Sequence, residues 1–350
     1  MIVKAVDIAR ELGISKATVS LALNNKPGVN EKTKQAILEC KARLEQQKPG
    51  QSTSALQKAA AGSQTEVLER VNKIKVIVFN AGLRYMVNSE LDLWTDVKEV
   101  FDRIAKQYNY EIEITYFYVG TESVQKLHAD CNRSDVAGVI AIATELSKED
   151  LQIIDGILKP LVVYDCNEED MKYPCVVADN VGGVRKAVKR LLKQGAKNIV
   201  YLAKDKYIYN TLKRRQGFTE TMRAAGDREP EKRIVLVGET IEAAYERIGE
   251  YVDTHELPDA FIAESYQMSI SGIRVLQERG IQIPEQVKFI GVDELPAYVT
   301  MGYNMTSVRI PHTERAKLTM MLLNHEMHDP SSHVKSEIYA RCQIIDGETA

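Results

Sequence analysis

The chain has 350 residues, a net charge of −3 at pH 7, 44% apolar residues and 27% charged residues. This length is typical of two or three domains, and this composition supports buried cores beneath a charged surface. No apolar run approaches the roughly 18 residues that cross a bilayer, and charges interrupt the amino terminus where a secretory signal is apolar. We therefore predict a cytoplasmic protein without a membrane partner.

The five cysteines are odd in number and scattered, and none forms a Cys-x-x-Cys pair. This pattern indicates reduced thiols and argues against a disulfide framework or a zinc ribbon. The fragment HEMHDPSSH contains three histidines, but it departs from His-Glu-x-x-His, and Asp-Pro ends its helix. We predict neither a metal nor a cofactor. The side chains considered are Cys40, Cys131, Cys166, Cys175, Cys342, His325, His328 and His333.

Charge is distributed unevenly along the chain. Residues 1–48 contain nine Lys and Arg against five Asp and Glu, a balance of +4, which leaves −7 for the remainder. A basic head on an acidic body is favourable where only the head contacts a polyanion.

The sequence pattern of the first segment predicts three short helices. Apolar spacing predicts helices over 3–12, 15–23 and 30–44, and Gly13 supplies the positive φ of a sharp corner between the first two. Two helices joined by a glycine corner and braced by a third are typical of a helix-turn-helix. We predict an all-α helix-turn-helix headpiece over residues 1–47.

Residues 48–72 are polar, small and almost free of aromatic side chains, as in a linker. Within them, Ser54 followed by ALQKAAA can form a short helix.

From Ile74 onward, buried-strand patterns alternate with amphipathic helices, which predicts parallel sheets covered on both faces. The strands exceed one sheet, so we predict an α/β core of two doubly wound parallel-sheet lobes with a cleft between them. Strands are predicted at 75–79, 111–118, 136–142, 160–164, 198–203, 233–237, 260–263 and 288–292, and helices around 90–107, 147–158, 180–194, 211–225, 241–255 and 266–279.

The segment AVDIARELGISKATVSLALNNKPGVNEKTKQAIL resembles the DNA-binding headpiece of the lactose repressor family of bacterial transcription regulators. Later segments are similar to the same family in order and spacing: VADNVGGVRKAVKRLLKQGAKNIVYLA, RRQGF, IPEQVKFIGVDE and TSVRIP. The resemblance implies a periplasmic-binding-protein-like core over 73–350. Its N-lobe is expected over about 73–163 plus 295–324, and its C-lobe over about 164–294 plus 325–350.

The resemblance implies that the second helix enters the major groove of DNA. Lys16 and Ala17 match the base-reading pair of the family. A lysine can donate hydrogen bonds to guanine acceptors, and an alanine methyl can contact the methyl group of thymine. Leu21 matches a third reading position, where the family usually has arginine, and implies an apolar contact with thymine. The alternative, for each residue considered alone, is that Lys16 is a solvated charge and that the nearby hydroxyl side chains are helix caps. Phosphate contacts are implied for Thr18, Ser20, Asn24, Asn30 and Thr33.

The linker departs from the family, because QKPG stands at residues 47–50 where Tyr-x-Pro-Asn is usual. Family members form a hinge helix there that inserts a leucine into the minor groove. Leu56 is the matching leucine, and the alternative is a flexible tether without groove contact.

For the cleft, the resemblance implies a ligand-clamping role for Arg214 and a hydroxyl-accepting role for Asp293 on the opposite wall. Asp165, at the end of a predicted strand, matches a third polar contact. The alternative for Arg214 and Asp293 is a structural ion pair.

Two further positions bear on the ligand. Ser265 and Tyr266 replace the Asn-Asp pair of the family, which removes a carboxylate and adds an aromatic ring. Trp94, the only tryptophan, begins a predicted helix and is a candidate for stacking on a ligand ring, with a core position as the alternative.

We predict a sequence-specific DNA-binding transcriptional regulator, a repressor, that binds double-stranded operator DNA as a homodimer and is controlled by a sugar-like effector. Whether the effector releases or tightens the DNA complex stays open. The alternative is a soluble ligand-binding receptor without sequence-specific DNA readout. An enzyme is disfavoured, because the sequence has no P-loop, no Gly-x-Ser-x-Gly and no Cys-His-Asp set.

Overall fold

The computed structural model describes residues 18–19, 33–35, 37, 72–82, 93–329 and 335–350. The chain divides into two compact units, Met1–Glu66 and Val67–Ala350. In the first unit the described residues are helical, and Val19 and Ile37 are buried, as the apolar spacing predicts.

The second unit alternates strands and helices. The described strands are β1 Asn72–Asn80, β2 Tyr110–Tyr118, β3 Val136–Ile142, β4 Leu161–Tyr164, β5 Cys175–Ala178, β6 Ile199–Ala203, β7 Ile234–Leu236, β8 Ala260–Ala263, β9 Lys288–Val292, β10 Ser307–Arg309, β11 Glu337–Ala340 and β12 Gln343–Ile345. The described helices are α1 Leu93–Gln107, α2 Val124–Cys131, α3 Asn180–Lys193, α4 Tyr209–Ala224, α5 Ile241–Thr254, α6 Tyr266–Glu278 and α7 His312–His328, with 3₁₀ turns at Asp150–Ile154 and Pro230–Arg233.

The strands form two six-stranded sheets, which define two lobes. The first lobe has the strand order β11-β5-β4-β3-β1-β2, and every pairing in it is parallel. The second lobe has the order β12-β10-β9-β8-β6-β7, in which only the pairing of β10 with β12 is antiparallel. The prediction of two doubly wound lobes is confirmed.

The inner strands are buried along their length, because helices cover both faces of each parallel sheet. In the first lobe, α1 and α7 pack together over one face. In the second, α3 and α4 pack on one face and α5 and α6 on the other.

The chain passes between the lobes three times: from β5 to α3, from β10 to α7 and from β11 to β12. These crossings correct the predicted lobe boundaries at 163/164, 294/295 and 324/325. The predicted boundaries differ from the observed ones because β5, β10, β11 and β12 have only three or four residues each, too few for a periodic pattern.

Other predicted elements agree closely with the structure. Strands 136–142, 260–263 and 288–292 have the predicted bounds. The helix predicted at 147–158 is only the 3₁₀ turn Asp150–Ile154. In the described part of the chain, no helix has both the length and the apolar character to cross a bilayer.

Candidate ligand-binding cleft

A cavity of about 100 Å³ lies between the two lobes. Several lining residues directly follow parallel strands, at the carboxyl edge where open α/β sheets bind ligands: Asp165 after β4, Lys204 after β6 and Asp293 after β9. Helices supply Arg214 from α4 and Arg315 from α7. The cavity thus gathers polar side chains from segments that are distant in sequence.

Asp165 is buried and bonded through both carboxylate oxygens. Thr144 Oγ1 donates to Oδ2 at 2.8 Å, and Arg315 Nη1 donates to Oδ1. The Arg315 guanidinium also lies 4.6 Å from the ring centroid of Tyr164. Since Asp165 already neutralises Arg315, its main effect is to hold that guanidinium in the cavity wall.

His312 connects the two lobes through side-chain contacts. Its Nε2 lies 3.4 Å from Asp293 Oδ1, and its Nδ1 lies 3.0 Å from Arg315 Nη2. Because a guanidinium only donates, Nδ1 accepts, and Nε2 carries the proton that faces Asp293. Burial, the largest effect, raises the pKa of Asp293, but the hydrogen bond from His312 and the nearby Arg214 outweigh it, so the pKa is lowered overall.

Arg214 is positioned by two acceptors. Its Nε donates to Asn180 Oδ1 and its Nη1 donates to the carbonyl oxygen of Glu264, both at 2.9 Å. Asn180 is itself fixed by a 2.7 Å bond to Asn210 Oδ1, and Asn210 also bonds the carbonyl oxygen of Asp165. These bonds leave Nη2 of Arg214 as the remaining guanidinium nitrogen for the cavity. Among the described residues, the ion-pair partner of Asp293 is His312 and not Arg214.

Lys204 is a charged residue that is only 2% exposed. Burial lowers the pKa of its ammonium group to about 8, against the opposing effects of Glu239 and Glu264. Glu264 is engaged elsewhere, because Arg215 donates to its Oε1 and Oε2 at 2.7 and 3.0 Å. The backbone N–H of Lys204 also donates to Glu264 Oε2, which fixes the chain where β6 ends.

Ser265 and Tyr266 line the cavity at the start of α6. Ser265 Oγ donates to Gln267 Oε1 at 2.7 Å and does not cap the helix. Trp94 lies in the first turn of α1, but its side chain is outside the described residues, so stacking stays a prediction.

The structure therefore brings five of the predicted ligand residues into one cavity: Asp165, Arg214, Ser265, Tyr266 and Asp293. Sequence reasoning missed Lys204, although a charged residue directly after a buried strand was a usable signal. It also missed His312 and Arg315, whose partner Asp165 lies 150 positions from Arg315. In the described residues, no group of three or more His, Cys, Asp or Glu side chains is placed to hold a metal ion.

Of the predicted DNA-contacting residues, the structure describes Thr18 and Thr33, which are helical and half-buried. The other predicted contacts lie outside the described residues, as do the linker and its predicted helix: Lys16, Ala17, Ser20, Leu21, Asn24, Asn30 and Leu56.

Comparison with known families bears on both parts of the chain. The family model for bacterial regulatory proteins of the lacI family matches residues 6–45, within the predicted headpiece. The model for the periplasmic binding protein-like domain matches residues 188–350. The chain belongs to the LacI family. It is accordingly a DNA-binding transcriptional regulator.

LacI-family relatives match over nearly the whole chain. The transcriptional regulator GalS of Salmonella typhimurium is 25% identical, over 90% of this chain and 87% of its own. The cellobiose complex of the transcriptional regulator CelR has a TM-score of 0.68 at 19% identity, with 98% of each chain covered. The lac repressor dimer bound to operator has a TM-score of 0.66 at 15% identity, with 100% of this chain and 99% of that chain covered. These structural similarities support the two-lobed fold.

Proposed function

We propose that this LacI-family chain is a homodimeric repressor. Its affinity for operator DNA is controlled by a small polyhydroxylated effector that binds between its lobes. The observation that supports the proposal is that Arg214, from helix α4, and Asp293, from the end of β9, both line one cavity. A guanidinium that donates beside a carboxylate that accepts is suited to ligand hydroxyls, which do both. The matched relatives include a regulator in complex with cellobiose.

A ligand between the lobes acts on the protein through its differential affinity for open and closed arrangements. It contacts Asp165 and Arg315 in the first lobe and Arg214 and Asp293 in the second, so binding favours closure. The three crossing segments link the lobes covalently in the described part of the chain, and they form the hinge. Closure of both protomers then changes the separation of the two headpieces in the dimer.

The cavity residues favour binding over catalysis. Asp165 lines the cavity but is hydrogen-bonded through both of its carboxylate oxygens, so it is not placed for proton transfer to a ligand.

The DNA part of the proposal is tested by selecting from a library of randomised palindromic duplexes and measuring fluorescence anisotropy at several salt concentrations. We expect one palindrome to be enriched, with an affinity about 10³-fold or more above that for random duplex. Uniform weak binding to all duplexes would contradict the proposal and favour the receptor alternative.

The effector part is tested by thermal-shift screening of sugars and sugar derivatives with the wild type and two variants. Arg214→Ala should abolish the ligand-induced rise in Tm, while its own fold is retained. Arg185→Ala removes an exposed arginine of α3 that pairs with Glu220, and should keep the full rise. An equal rise in all three proteins would remove Arg214 from the site.

A further inference from the structure

The first turn of α4 belongs to the second lobe but packs against the first. Tyr209 begins this helix and is 5% exposed. Its ring is part of a buried apolar cluster whose other described members, such as Cys166 and Val177, all lie in the first lobe. Burial of an aromatic ring is favourable in proportion to the apolar area that it removes from water. Separation of the lobes would therefore expose both the ring and the apolar surface that it covers.

Asn210, the next residue, adds a polar contact between the lobes. It is 4% exposed, and its Nδ2 donates to the backbone carbonyl oxygen of Asp165 in the first lobe at 3.3 Å. Its Oδ1 accepts a hydrogen bond from Asn180 Nδ2 at 2.7 Å, at the start of α3 in the second lobe. One side-chain amide thus bonds to both lobes, and separation of the lobes breaks its bond to Asp165.

The second lobe alone fixes the shape of this turn. Thr211 Oγ1 accepts a hydrogen bond from the backbone N–H of Ile208 at 3.1 Å and donates to the Ile208 carbonyl oxygen at 3.0 Å. Because the turn is already ordered, Tyr209 and Asn210 contact the first lobe with little further loss of conformational entropy.

The cleft between the lobes is correspondingly narrow. Its cavity of about 100 Å³ is well below the roughly 300–1,000 Å³ of typical ligand pockets. The lobes must therefore move apart before a ligand of that size enters, and the contacts of α4 oppose this movement. His312 also bridges the lobes, but its Nε2 lies 3.4 Å from Asp293 Oδ1, which is long for a hydrogen bond.

We propose that Tyr209 and Asn210 form a clasp that holds the two lobes together through contacts within the chain, and that release of this clasp opens the cleft. The inference concerns the lobes themselves and does not depend on which compound is the effector. The clasp sets the balance between closed and open arrangements, and a ligand then shifts that balance through its differential affinity.

The test measures the distance between the lobes in the full chain without added sugar. Spin labels are attached to unnatural amino acids at the positions of Leu158 in the first lobe and Lys232 in the second, which are both exposed. An excess of unlabelled chain ensures that a dimer carries one labelled pair. We expect pulsed electron paramagnetic resonance to give one narrow distance distribution for the wild type.

Removal of either clasp residue should add a second distance, that of the open arrangement. Tyr209→Ala should raise the open fraction about tenfold or more, because a buried aromatic side chain is lost. Asn210→Ala should raise it about fivefold, as expected for one hydrogen bond. If Tyr209→Ala does not fold, as judged by circular dichroism, Asn210→Ala decides the test.

Two variants serve as controls. Tyr207→Ala removes an exposed tyrosine just before α4, whose ring lies 4.8 Å from the guanidinium of Arg215 in the same lobe, and it should keep the single distance. Tyr209→Phe keeps a ring in the apolar cluster and should also keep the single distance.

Two results would overturn the proposal. The first is a wild-type distribution that already contains both distances in comparable amounts, because the contacts would then not hold the lobes together. The second is an unchanged single distance in the folded clasp variants. Whether a sugar binds to the wild type is measured separately and tests the proposed function, so the two can fail independently.

Discussion

Asp165 and Asp293 are structural counterparts in the two lobes. Each directly follows the third strand of its sheet, β4 or β9, and each has a φ of 72°. Each also donates its backbone N–H to the neighbouring strand, to the carbonyl oxygens of Val176 and Val308 at 2.9 and 3.0 Å. Left-handed φ values are uncommon for residues with a Cβ, and Asp and Asn adopt them more readily than most others. The repeated conformation places a carboxylate in each facing wall of the cleft.

This conformation separates the structural role of Asp293 from its proposed binding role. Asp293→Asn keeps a side chain that suits φ > 0, so we expect its unfolding free energy to stay within about 1 kcal/mol of the wild type. The amide accepts hydrogen bonds from ligand hydroxyls less strongly than a carboxylate, so the affinity for the effector should fall about 10- to 100-fold. Urea denaturation measures the free energy of unfolding, and titration with the tightest-binding compound of the thermal-shift screen measures the affinity.

A β-branched substitution at the same position is the control. Asp293→Val should cost about 1–2 kcal/mol of stability in addition, because its Cβ substituents resist the left-handed region. Equal stability of the Val and Asn variants would show that the backbone conformation at this position carries no strain.

Burial lowers the pKa of the Lys204 ammonium group to about 8, and this shift affects the stability of the protein. Since the folded pKa of Lys204 lies below its usual value of 10.5, burial of the charge destabilises the fold below pH 8. That penalty is relieved as the pH rises from about 8 to 10. Lys204→Met should therefore be more stable than the wild type at pH 7 in urea denaturation, and the difference should shrink at pH 10.

A second buried lysine lies on β1 and does not line the cleft. Lys75 is 1% exposed, and its Nζ binds Glu113 Oε1 at 2.7 Å and Asp130 Oδ2 directly. The hydrogen bond from Arg133 is the main cause that holds the pKa of Glu113 well below its usual range. The paired substitution Glu113→Gln with Asp130→Asn leaves Lys75 buried without a carboxylate, and should cost about 3–5 kcal/mol.

Removing the lysine instead should cost far less. In Lys75→Met, both carboxylates keep Arg133 as a partner, so the unfolding free energy should change by no more than about 1 kcal/mol. Chemical denaturation compares the variants. A larger loss in Lys75→Met than in the paired substitution would reverse this account of the cluster.

Lys16 is predicted to read a base. Lys16→Ala should relax the preference at one base pair of the selected operator and cost about 1–3 kcal/mol there. Lys26→Ala removes the same charge from the predicted turn, and should weaken all duplexes alike. Anisotropy against single-base operator variants distinguishes the two patterns, and a uniform loss for Lys16→Ala would assign that lysine to a phosphate.

The fold was predictable where hydrophobic runs are long. Strands such as 136–142 and 288–292 have the predicted bounds, because buried parallel strands appear as continuous apolar runs. The edge strands β11 and β12 are short and partly exposed, so their sequence carries no comparable pattern. The lobe boundaries depend on these two strands and on the equally short β5 and β10, so the predicted boundaries differ from those in the structure.

The site was predictable where a strand end or a family motif marks a position, as for Asp165, Arg214 and Asp293. The roles of His312 and Arg315 depend on contacts between α7 and the ends of β4 and β9, which no local pattern encodes. Lys204 follows a strand in the same way as the two aspartates, and a rule applied to every strand end would have included it.

The three crossings also govern how this protein can be recombined with its relatives. Each lobe is assembled from separate stretches of chain, with boundaries near 179, 310 and 341. A chimera that exchanges a whole lobe must therefore splice the polypeptide at all three of these places. A new effector specificity is therefore easier to introduce by single substitutions at the strand ends than by exchanging one contiguous segment. Such a segment does not contain all the strands of a sheet, so the exchange would combine strands from two proteins within one sheet.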